Sequence, residues 1–324
     1  MNPACSAVHA DRVGRSSQTK RRASLASANL PVRSHRLRLR REQENTKSEP
    51  ASCSVDSVAA RGSSRPGSLG IGIVRKSTAS DIEDHPFVAR LNHSIALDDG
   101  DLAALARLLE RTVVVKKAKD IIVEGYAYGV LHVVRQGFAV RYKLLHSGKR
   151  QIVNVIMPGD IIGFPACFYE HAVFSVTALS DMSLSHVPLD AFADTCLERA
   201  TVATALVWFA AREAAIYAEH IIDAGRREPL ERLAHFLLET LTRLQAIGDA
   251  SEDTFVLPLS QEGIGDALGL SAPHVNRMLA ELKRDGLIAM TGREVQILDR
   301  AALQILGEFH STYLARSPVR RSRR

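Results

Sequence analysis

The spacing of hydrophobic and polar residues changes character along the chain. Residues 1–79 show no sustained apolar period. Between residues 112 and 186 the chain has short runs that are rich in β-branched residues and separated by turn glycines, a pattern that predicts antiparallel strands. From residue 198 onwards apolar residues recur every three or four positions, which predicts helices. The chain is therefore predicted to be an α+β protein in which a β-domain precedes a helical domain.

The predicted strands are short and evenly spaced, as expected for a small barrel or sandwich. A short helix and turn at 84–97 and a second helix precede them. Asp98 or Asp99 is predicted to cap the second helix, because an aspartate there can accept a hydrogen bond from the first helical turn. Strands are predicted at residues 112–115, 120–123, 130–135, 138–144, 151–156, 173–179 and 182–186.

One long, alanine-rich helix is predicted from Glu198 to about Ala224, after a short helix at 188–197. Its larger apolar residues lie near one stripe, which is typical of a two-stranded packing seam between subunits. The alternative is a helix face buried within one subunit. A break around Pro229 separates this helix from an amphipathic helix at 230–244. The predicted dimer-interface residues are Val202, Leu206, Phe209 and Ile216.

The segment 257–288 is predicted to form two helices joined by a tight turn. Ser260 is expected to cap the first helix and Ser271 the second. Gly269 is expected to end the first helix, because glycine adopts a positive φ without a Cβ penalty. A hairpin is expected at 290–297. The buried face of the second helix is predicted to hold Val275, Met278, Leu279 and Leu282.

The opposite face of the second helix carries side chains that can bind DNA. Arg277 is predicted to contact guanine bidentately, and Asn276 and His274 to contact bases or phosphates. The serines and Gln261 are predicted to contact phosphates. The alternative is an ordinary pair of helices whose polar face is only solvated. The predicted DNA-binding residues are Ser260, Gln261, Ser271, Ala272, Pro273, His274, Asn276, Arg277 and Arg293.

The charge of the chain is concentrated at its two ends. Residues 1–79 hold 15 Lys and Arg against 5 Asp and Glu, and residues 315–324 hold 5 Arg and no acid. The remainder has 22 basic and 31 acidic residues, so any DNA-binding surface there must be a local patch. Residues 1–79 are predicted to be disordered. They either form a basic arm that contacts phosphates or have no function, and translation that starts downstream would also explain their composition.

Composition excludes several other classes of protein. The cysteines, Cys5, Cys53, Cys167 and Cys196, are too widely spaced for a zinc site or a disulfide framework, which fits a reducing cytoplasm. We find no apolar run long enough to span a membrane and no secretory signal pattern. The chain also lacks a nucleophile-elbow motif and a complete P-loop, so enzyme activity is not expected.

The residue pattern resembles the Crp/Fnr superfamily of bacterial transcription regulators. The similarity is carried by Leu270-Ser271 and His274-Val275-Asn276-Arg277 in the helical part, and by Arg135-Gln136-Gly137, 146–151 and 157–163 among the strands. It implies an antiparallel β-roll sensor (a double-stranded β-helix, jelly-roll-like), a dimerisation helix and a winged helix-turn-helix. The implied domains are residues 80–197, 198–226 and 227–312, between basic segments at 1–79 and 313–324.

The resemblance also defines where an effector would bind. Nucleotide-binding members have an acid just after the glycine that stands here as Gly163, and an Arg-Ser or Arg-Thr pair for the cyclic phosphate. This chain has Phe164, Phe174 and Ser175 at those positions, so the arginine fork for the phosphate is missing and neither cyclic AMP nor cyclic GMP is expected to bind. The predicted effector pocket comprises Gly163, Phe164, Cys167, Phe168, Phe174 and Ser175. It either takes a hydrophobic effector or is filled by its own side chains.

Other cofactors of the family find little support in the sequence. An iron–sulfur cluster needs several close cysteines, which the chain lacks. Haem needs an axial ligand, for which His132, His146, His171 and His186 are candidates by element only. Cys167 is either a redox switch or a buried apolar cysteine. No metal or resident cofactor is therefore expected.

The expected function is a sequence-specific, homodimeric transcription factor in the bacterial cytoplasm, associated with the nucleoid. Two recognition helices about 34 Å apart would bind a pseudo-palindromic operator, with RNA polymerase as a partner if the protein activates transcription. Pro273 stands where family members often have an acid that contacts a base, which puts the family's operator sequence in doubt for this chain. The alternative is a ligand- or redox-sensing module without specific DNA activity.

Overall fold

The computed structural model describes residues 72–76, 82–92 and 95–314. Strand β1 (Gly72–Lys76) pairs antiparallel with β2 (Arg111–Val115). The prediction of disorder through residue 79 is therefore wrong over these five residues, because the edge of β2 offers backbone partners to a β-branched segment. The rest of the basic N-terminal segment that we predicted to be disordered lies outside the described residues, as does the tail from residue 315.

Two antiparallel sheets form the predicted β-roll. One has the strand order β1-β2-β9-β4-β7 and the other the order β3-β8-β5-β6. Buried apolar side chains, among them Val134, Val176 and Leu184, fill the space between the sheets. The short β7 was not predicted, because two residues carry no alternation. The remaining strands are β3 (Asp120–Ile122), β4 (Val130–Gln136), β5 (Ala139–Leu144), β6 (Arg150–Ile156), β7 (Ile161–Ile162), β8 (Ser175–Ala178) and β9 (Met182–Pro188).

Helices cover the outer face of the roll. Asp98 is the residue that caps α2, since its side chain accepts a hydrogen bond from the Asp101 backbone N–H at 2.7 Å. Apolar residues of α1, α2 and α4 form a second core against β4 and β9, in which Leu91, Leu105 and Phe209 are buried. The helices are α1 (Pro86–Asn92), α2 (Asp99–Leu109), α3 (Leu189–Glu198) and α4 (Ala200–Gly225).

The long helix α4 has the predicted length, but the predicted dimer interface is wrong. Val202, Phe209 and Ile216 are at most 2% exposed, and Leu206 packs partly buried against the same core. Val202 and Phe209 are covered by the chain's own α1, α2 and β-roll, and Ile216 is fully buried, so these three side chains cannot meet a second subunit. The alternative, a face buried within one subunit, is therefore correct for this stripe.

The C-terminal domain adds four helices to a three-stranded sheet. Its core gathers the apolar face of α5 with the predicted inner face of α7, and Val155 and Met157 of the roll belong to the same core. The wing strands β11 and β12 were predicted as a hairpin, whereas β10 was missed. The elements are α5 (Pro229–Gln245), β10 (Thr254–Val256), α6 (Gln261–Leu268), α7 (Ala272–Arg284), β11 (Ile288–Thr291), β12 (Glu294–Ile297) and α8 (Arg300–Leu306).

The folded C-terminal domain extends beyond residue 312. Tyr313 donates a hydrogen bond to the Glu239 carboxylate at 2.8 Å and shares another with His235 at 3.0 Å. Leu314 packs against the apolar core of the same domain. The predicted boundary between this domain and the basic tail, residue 313, is therefore two residues too early.

Direct contacts join the C-terminal domain to the β-roll. Arg150 of β6 forms an ion pair with Asp266 of α6 at 2.7 Å, and the Gln151 amide donates to the Ala267 carbonyl at 3.0 Å. A few residues away, Arg243 of α5 donates to the Asp160 carboxylate, which follows β6, at 3.2 Å. The position of the helix-turn-helix is therefore fixed from two sides, by a surface ion pair and by a buried one.

Candidate DNA-binding site and sensor site

The turn between α6 and α7 has the geometry of a helix-turn-helix. Ser260 caps α6 by accepting a hydrogen bond from the Gly263 N–H, and Gly269 ends it with a φ of 71°, as predicted. The Leu270 N–H then donates to the Gly265 carbonyl at 2.8 Å. A Cβ on Gly265 would lie 2.5 Å from the Leu270 carbonyl oxygen. The close approach of the two helices therefore depends on this glycine, whose role the sequence did not reveal.

Helix α7 buries one face and exposes the other, as predicted. Val275, Met278, Leu279 and Leu282 are at most 3% exposed. Ser271 stands at the cap position in an extended conformation, but its hydroxyl makes no capping bond. The expectation that this side chain caps α7 is therefore wrong, because the chain enters the helix without bringing the hydroxyl to an N–H group. The hydroxyl stays on the exposed surface.

The exposed end of α7 presents the predicted base-reading residues. Asn276 and Arg277 are exposed, and His274 is half-buried. The Gln261 amide donates to the Asn276 side-chain oxygen at 3.2 Å, which holds the two predicted contacts of α6 and α7 side by side. Within the described residues, the Arg277 guanidinium has no hydrogen bond and no ion pair.

The other predicted DNA contacts border the same surface. Ser260, Ser271 and Pro273 are exposed, and Ala272 is half-buried at the start of α7. Arg293 is exposed in the turn between β11 and β12, where its carbonyl accepts from the Leu257 N–H at 2.8 Å. These positions lie at or near the N-terminal ends of α6 and α7 and at the tip of the wing.

The residues of the predicted effector pocket are mostly packed within the β-roll and against its outer helices. Phe174 is buried between the two sheets, while Phe164 and Cys167 pack into the core beneath the outer helices. Phe168 is 61% exposed, and the Ser175 hydroxyl accepts a hydrogen bond from the Glu124 N–H at 3.0 Å. Gly163 approaches the Val130 carbonyl so closely that a Cβ would lie 2.5 Å away. The Phe164 and Phe168 rings meet edge to face at 5.7 Å, and the Cys167 N–H donates to the Gly163 carbonyl at 2.8 Å. Phe174 lies in the other core, so the structure brings only part of the predicted set together. The buried rings favour the alternative that the site is filled by the chain's own side chains.

A buried arginine lies close to this site, although the arginine of the family's Arg-Ser pair is missing. The Arg141 guanidinium of β5 stacks over the Phe174 ring at 4.6 Å. It donates to the Phe164 carbonyl at 3.1 Å, pairs with Glu213 of α4 at 3.3 Å and contacts the Tyr217 hydroxyl. The polar residues within the long apolar helix, Glu213 and Tyr217, were the sequence signal for a buried cation.

The side chains weighed as cofactor ligands are already engaged or exposed. The His132 ring shares hydrogen bonds with the Tyr128 hydroxyl at 2.6 Å and with His186 at 3.1 Å, so both of its nitrogens are occupied. His146 and His171 are exposed. Burial raises the pKa of the Cys167 thiol, which favours its neutral, less reactive form.

Two buried histidines predict that acid weakens the fold. Burial lowers the pKa of His85 and that of His132 from 6.5 to about 3. Both therefore stay neutral in the folded chain, while the unfolded chain binds protons below pH 6.5. The stability they contribute is present above pH 6.5 and falls towards pH 3, by roughly 1–2 kcal/mol for each histidine at pH 5. Burial raises the pKa of Glu213, which opposes part of this loss.

Urea unfolding between pH 7.5 and pH 5 measures this dependence. The variant His132→Gln should lose less stability than the parent chain over this interval, because one of the two neutral histidines is gone. The matched control is His146→Gln, at an exposed position. An equal acid-induced loss in the parent and in His132→Gln would contradict the assignment.

Domain comparisons agree with this architecture. A Cyclic nucleotide-binding domain matches residues 112–199, and a Crp-like helix-turn-helix domain matches residues 231–306. None of the described helices has the length and apolar content that crossing a membrane requires.

Similar proteins share both the fold and the sequence pattern. The nitrogen fixation regulation protein FixK of Bradyrhizobium diazoefficiens is 34% identical over 173 residues, which are 53% of this chain and 72% of FixK. The transcriptional activator protein Anr of Pseudomonas protegens is 27% identical over 63% of this chain and 84% of its own length. The solved structure of FixK2 from Bradyrhizobium japonicum is 30% identical, with a TM-score of 0.56, over 60% of this chain and 96% of FixK2. These relatives are regulators of transcription, and this chain belongs to the Crp/Fnr superfamily of DNA-binding transcriptional regulators.

Proposed function

We propose that the protein acts in the bacterial cytoplasm as a homodimer and reads a two-fold-symmetric operator through α7. The observation that carries the proposal is the exposed Arg277 beside Asn276, with no ion pair to Arg277 from any described residue. These are side chains that pair bidentately with guanine and adenine in the major groove. A symmetric dimer presents two such helices, so the operator is a pseudo-palindrome with half-sites one helical turn apart.

The dimer forms along the exposed stripe of α4. The spacing of this stripe alternates between four and three residues, which is the heptad spacing of two-stranded helical packing. Its ends are large apolar side chains, Val207 and Ile221, that are 71% and 72% exposed. Alanines lie between them and allow the two helices to approach closely. The stripe consists of Val207, Ala211, Ala214, Ala218 and Ile221, all exposed.

The β-roll works without a cyclic nucleotide. Phe174 and Phe164 stand in the sequence where the resemblance places the phosphate-binding arginine and the ribose-binding acid. The buried cation near them, Arg141, is held by Glu213 and the Phe164 carbonyl. A cyclic phosphate would have to displace these contacts and leave the Glu213 carboxylate buried without its partner, which costs several kcal/mol. Neither haem nor an iron–sulfur cluster is part of the proposal.

A selection of genomic fragments with the full chain, followed by sequencing of the bound DNA, tests this function. A two-fold-symmetric motif is expected. No enrichment with either the full chain or residues 72–314 would contradict the proposal and favour a sensing module without specific DNA activity.

The variant Arg277→Ala should bind the selected operator roughly 5- to 150-fold more weakly, since a bidentate base contact is worth roughly 1–3 kcal/mol. Fluorescence anisotropy with a labelled duplex measures the change. The matched control is Arg284→Ala on the same helix, because Arg284 is already paired with Asp285 at 3.1 Å. Unchanged binding by Arg277→Ala would show that α7 is not the recognition helix.

A further inference from the structure

A cavity of about 550 Å³ lies where the β-roll meets the C-terminal domain. Its walls come from β6, the C-terminal half of α4, α5 and the end of α6, up to Gly269. This volume is in the range of small-molecule binding sites, and clefts between domains are common positions for them. None of the residues of the predicted effector pocket lines this cavity.

The lining combines apolar walls with polar groups. Its acidic groups are hydrogen-bonded or ion-paired within the chain. Ile152 of β6 and Phe236 of α5 supply apolar surface. The Glu239 carboxylate is satisfied by His220 at 3.2 Å, by Tyr313 at 2.8 Å and by Arg243. Asp223, a second acid in the lining, is paired with Arg227 at 2.7 Å. The acidic groups of the cavity are therefore already neutralised.

Two polar groups in the lining remain available to a ligand. Arg232 donates to the carbonyls of Arg227 at 2.8 Å and of Leu268 at 3.2 Å, but no carboxylate of the described residues lies within ion-pair distance of it. Thr240 is 3% exposed, and its hydroxyl makes no hydrogen bond within the described part of the chain. A guanidinium without an acid is ready for an anion, and a hydroxyl in the same lining can donate to or accept from the same ligand.

We infer that this cavity binds a small organic anion with an apolar body, whose carboxylate or sulfonate pairs with Arg232 and whose apolar part contacts Ile152 and Phe236. The ligand's polar atoms would also satisfy the Thr240 hydroxyl. A neutral apolar molecule would leave the charge of Arg232 without a counter-ion. A cation would meet acids that are already paired.

A ligand bound in this cavity would affect the interface between the β-roll and the C-terminal domain. The end of α6 contributes to the cavity, and the contact between Gln151 and the Ala267 carbonyl lies at its edge. A ligand that contacts both sides favours the arrangement in which they are closest, so it shifts the population of positions of the helix-turn-helix. This consequence rests on the proposed DNA-binding function, whereas the binding site itself does not.

Fluorescence titration of the full chain with 8-anilinonaphthalene-1-sulfonate, an aromatic monoanion, tests the site. We expect saturable binding of one molecule per chain with a dissociation constant in the micromolar range. Decanoate should displace the probe, and 1-decanol, which has the same chain length but no charge, should do so at least about tenfold less well. Displacement by both to the same degree would overturn the assignment of an anion site.

Two variants locate the binding. Arg232→Gln should weaken probe binding at least about tenfold, and Ala224→Phe, at an exposed position of the lining, should block it. The matched controls are Arg284→Gln and Ala301→Phe, at exposed positions that do not line the cavity. Thermal unfolding by circular dichroism checks that each variant is folded. No saturable binding, or binding that both lining variants leave unchanged, overturns the proposal even if operator binding is intact.

Discussion

Replacing Asp160 by alanine is expected to lower the free energy of unfolding by roughly 3–5 kcal/mol, because it leaves the buried Arg90 without its counter-ion and removes one of the two carboxylates that pair with Arg243. The Asp160 side chain is 6% exposed and accepts a hydrogen bond from the Met157 N–H at 2.8 Å. It also forms ion pairs with Arg90 of α1 and, at 3.2 Å, with Arg243 of α5. One carboxylate thus joins the outer helices and the C-terminal domain to the β-roll.

A third arginine makes the expected loss of stability larger than that from breaking a single ion pair. Arg212 of α4 is 7% exposed and has no hydrogen bond or ion pair of its own within the described residues. Burial, together with the charges of Arg90 and Arg243, lowers the pKa of Arg212 to about 9. The attraction of Asp160 is one of the interactions that oppose this shift. Without Asp160, three like charges remain close together in a medium of low dielectric constant.

Urea unfolding at pH 7.5 measures the effect, with Asp181→Ala as the control. Asp181 pairs with Lys116 at 2.7 Å, but both side chains are largely exposed, so its removal should change the unfolding midpoint much less. Replacing Arg212 by methionine should restore part of the stability of Asp160→Ala, because it removes one of the repelling charges. A small effect of Asp160→Ala, or no rescue by the second substitution, would contradict the role of this cluster.

The helix-turn-helix could be predicted because its constraints are local. Ser260 caps the helix that directly follows it, and Gly269 takes up the positive φ at the turn where the sequence places it. The inner face of α7 follows from helical spacing alone. The strands of the roll were found for a similar reason, since β-branched runs and turn glycines mark each of them separately. The two-residue β7 is too short to show alternation, and β1 is one short run in a segment that has no sustained apolar period.

The face of α4 could not be assigned from its spacing, because apolar residues occur all round this helix. The deciding information is which residues the rest of the chain covers. Arg212, Glu213 and Asp223 lie on the buried side. Groups distant in sequence satisfy Glu213 and oppose Arg212, whereas Asp223 pairs with Arg227 four residues away. Choosing the least polar face of α4 as its buried face would therefore give the wrong answer. The buried face holds charged residues, and the exposed face holds alanines.

The surroundings of the predicted effector pocket, and the cavity between the domains, could not be predicted from the sequence for a related reason. The residue pattern identified Phe164 and Phe174 as departures from nucleotide binders, but it gave no sign that Arg141 would stack on the Phe174 ring. The cavity next to Arg232 exists only because β6, α4 and α5 meet there. Such contacts join residues of different domains, so no local rule predicts them.

A charge in the exposed stripe of α4 is expected to weaken the dimer by at least about a hundredfold. Ala214 is exposed at the centre of the stripe that ends in Val207 and Ile221. In a symmetric dimer the same patch meets itself, so Ala214→Glu buries two carboxylates near the two-fold axis. Burying a charge without a partner costs several kcal/mol, and each 1.4 kcal/mol is a tenfold change in the dissociation constant. Sedimentation equilibrium measures the shift from dimer to monomer.

Operator binding should fall with the dimer, because a monomer contacts only one half-site and loses the gain from binding both at once. Ala301→Glu on α8 is the control, since it adds the same charge at an exposed position away from the stripe. At low protein concentration, Ala214→Glu should therefore fail to bind a duplex that Ala301→Glu still binds, and raising the concentration should restore part of the binding. A dimer that tolerates the glutamate would show that the subunits meet along some other surface.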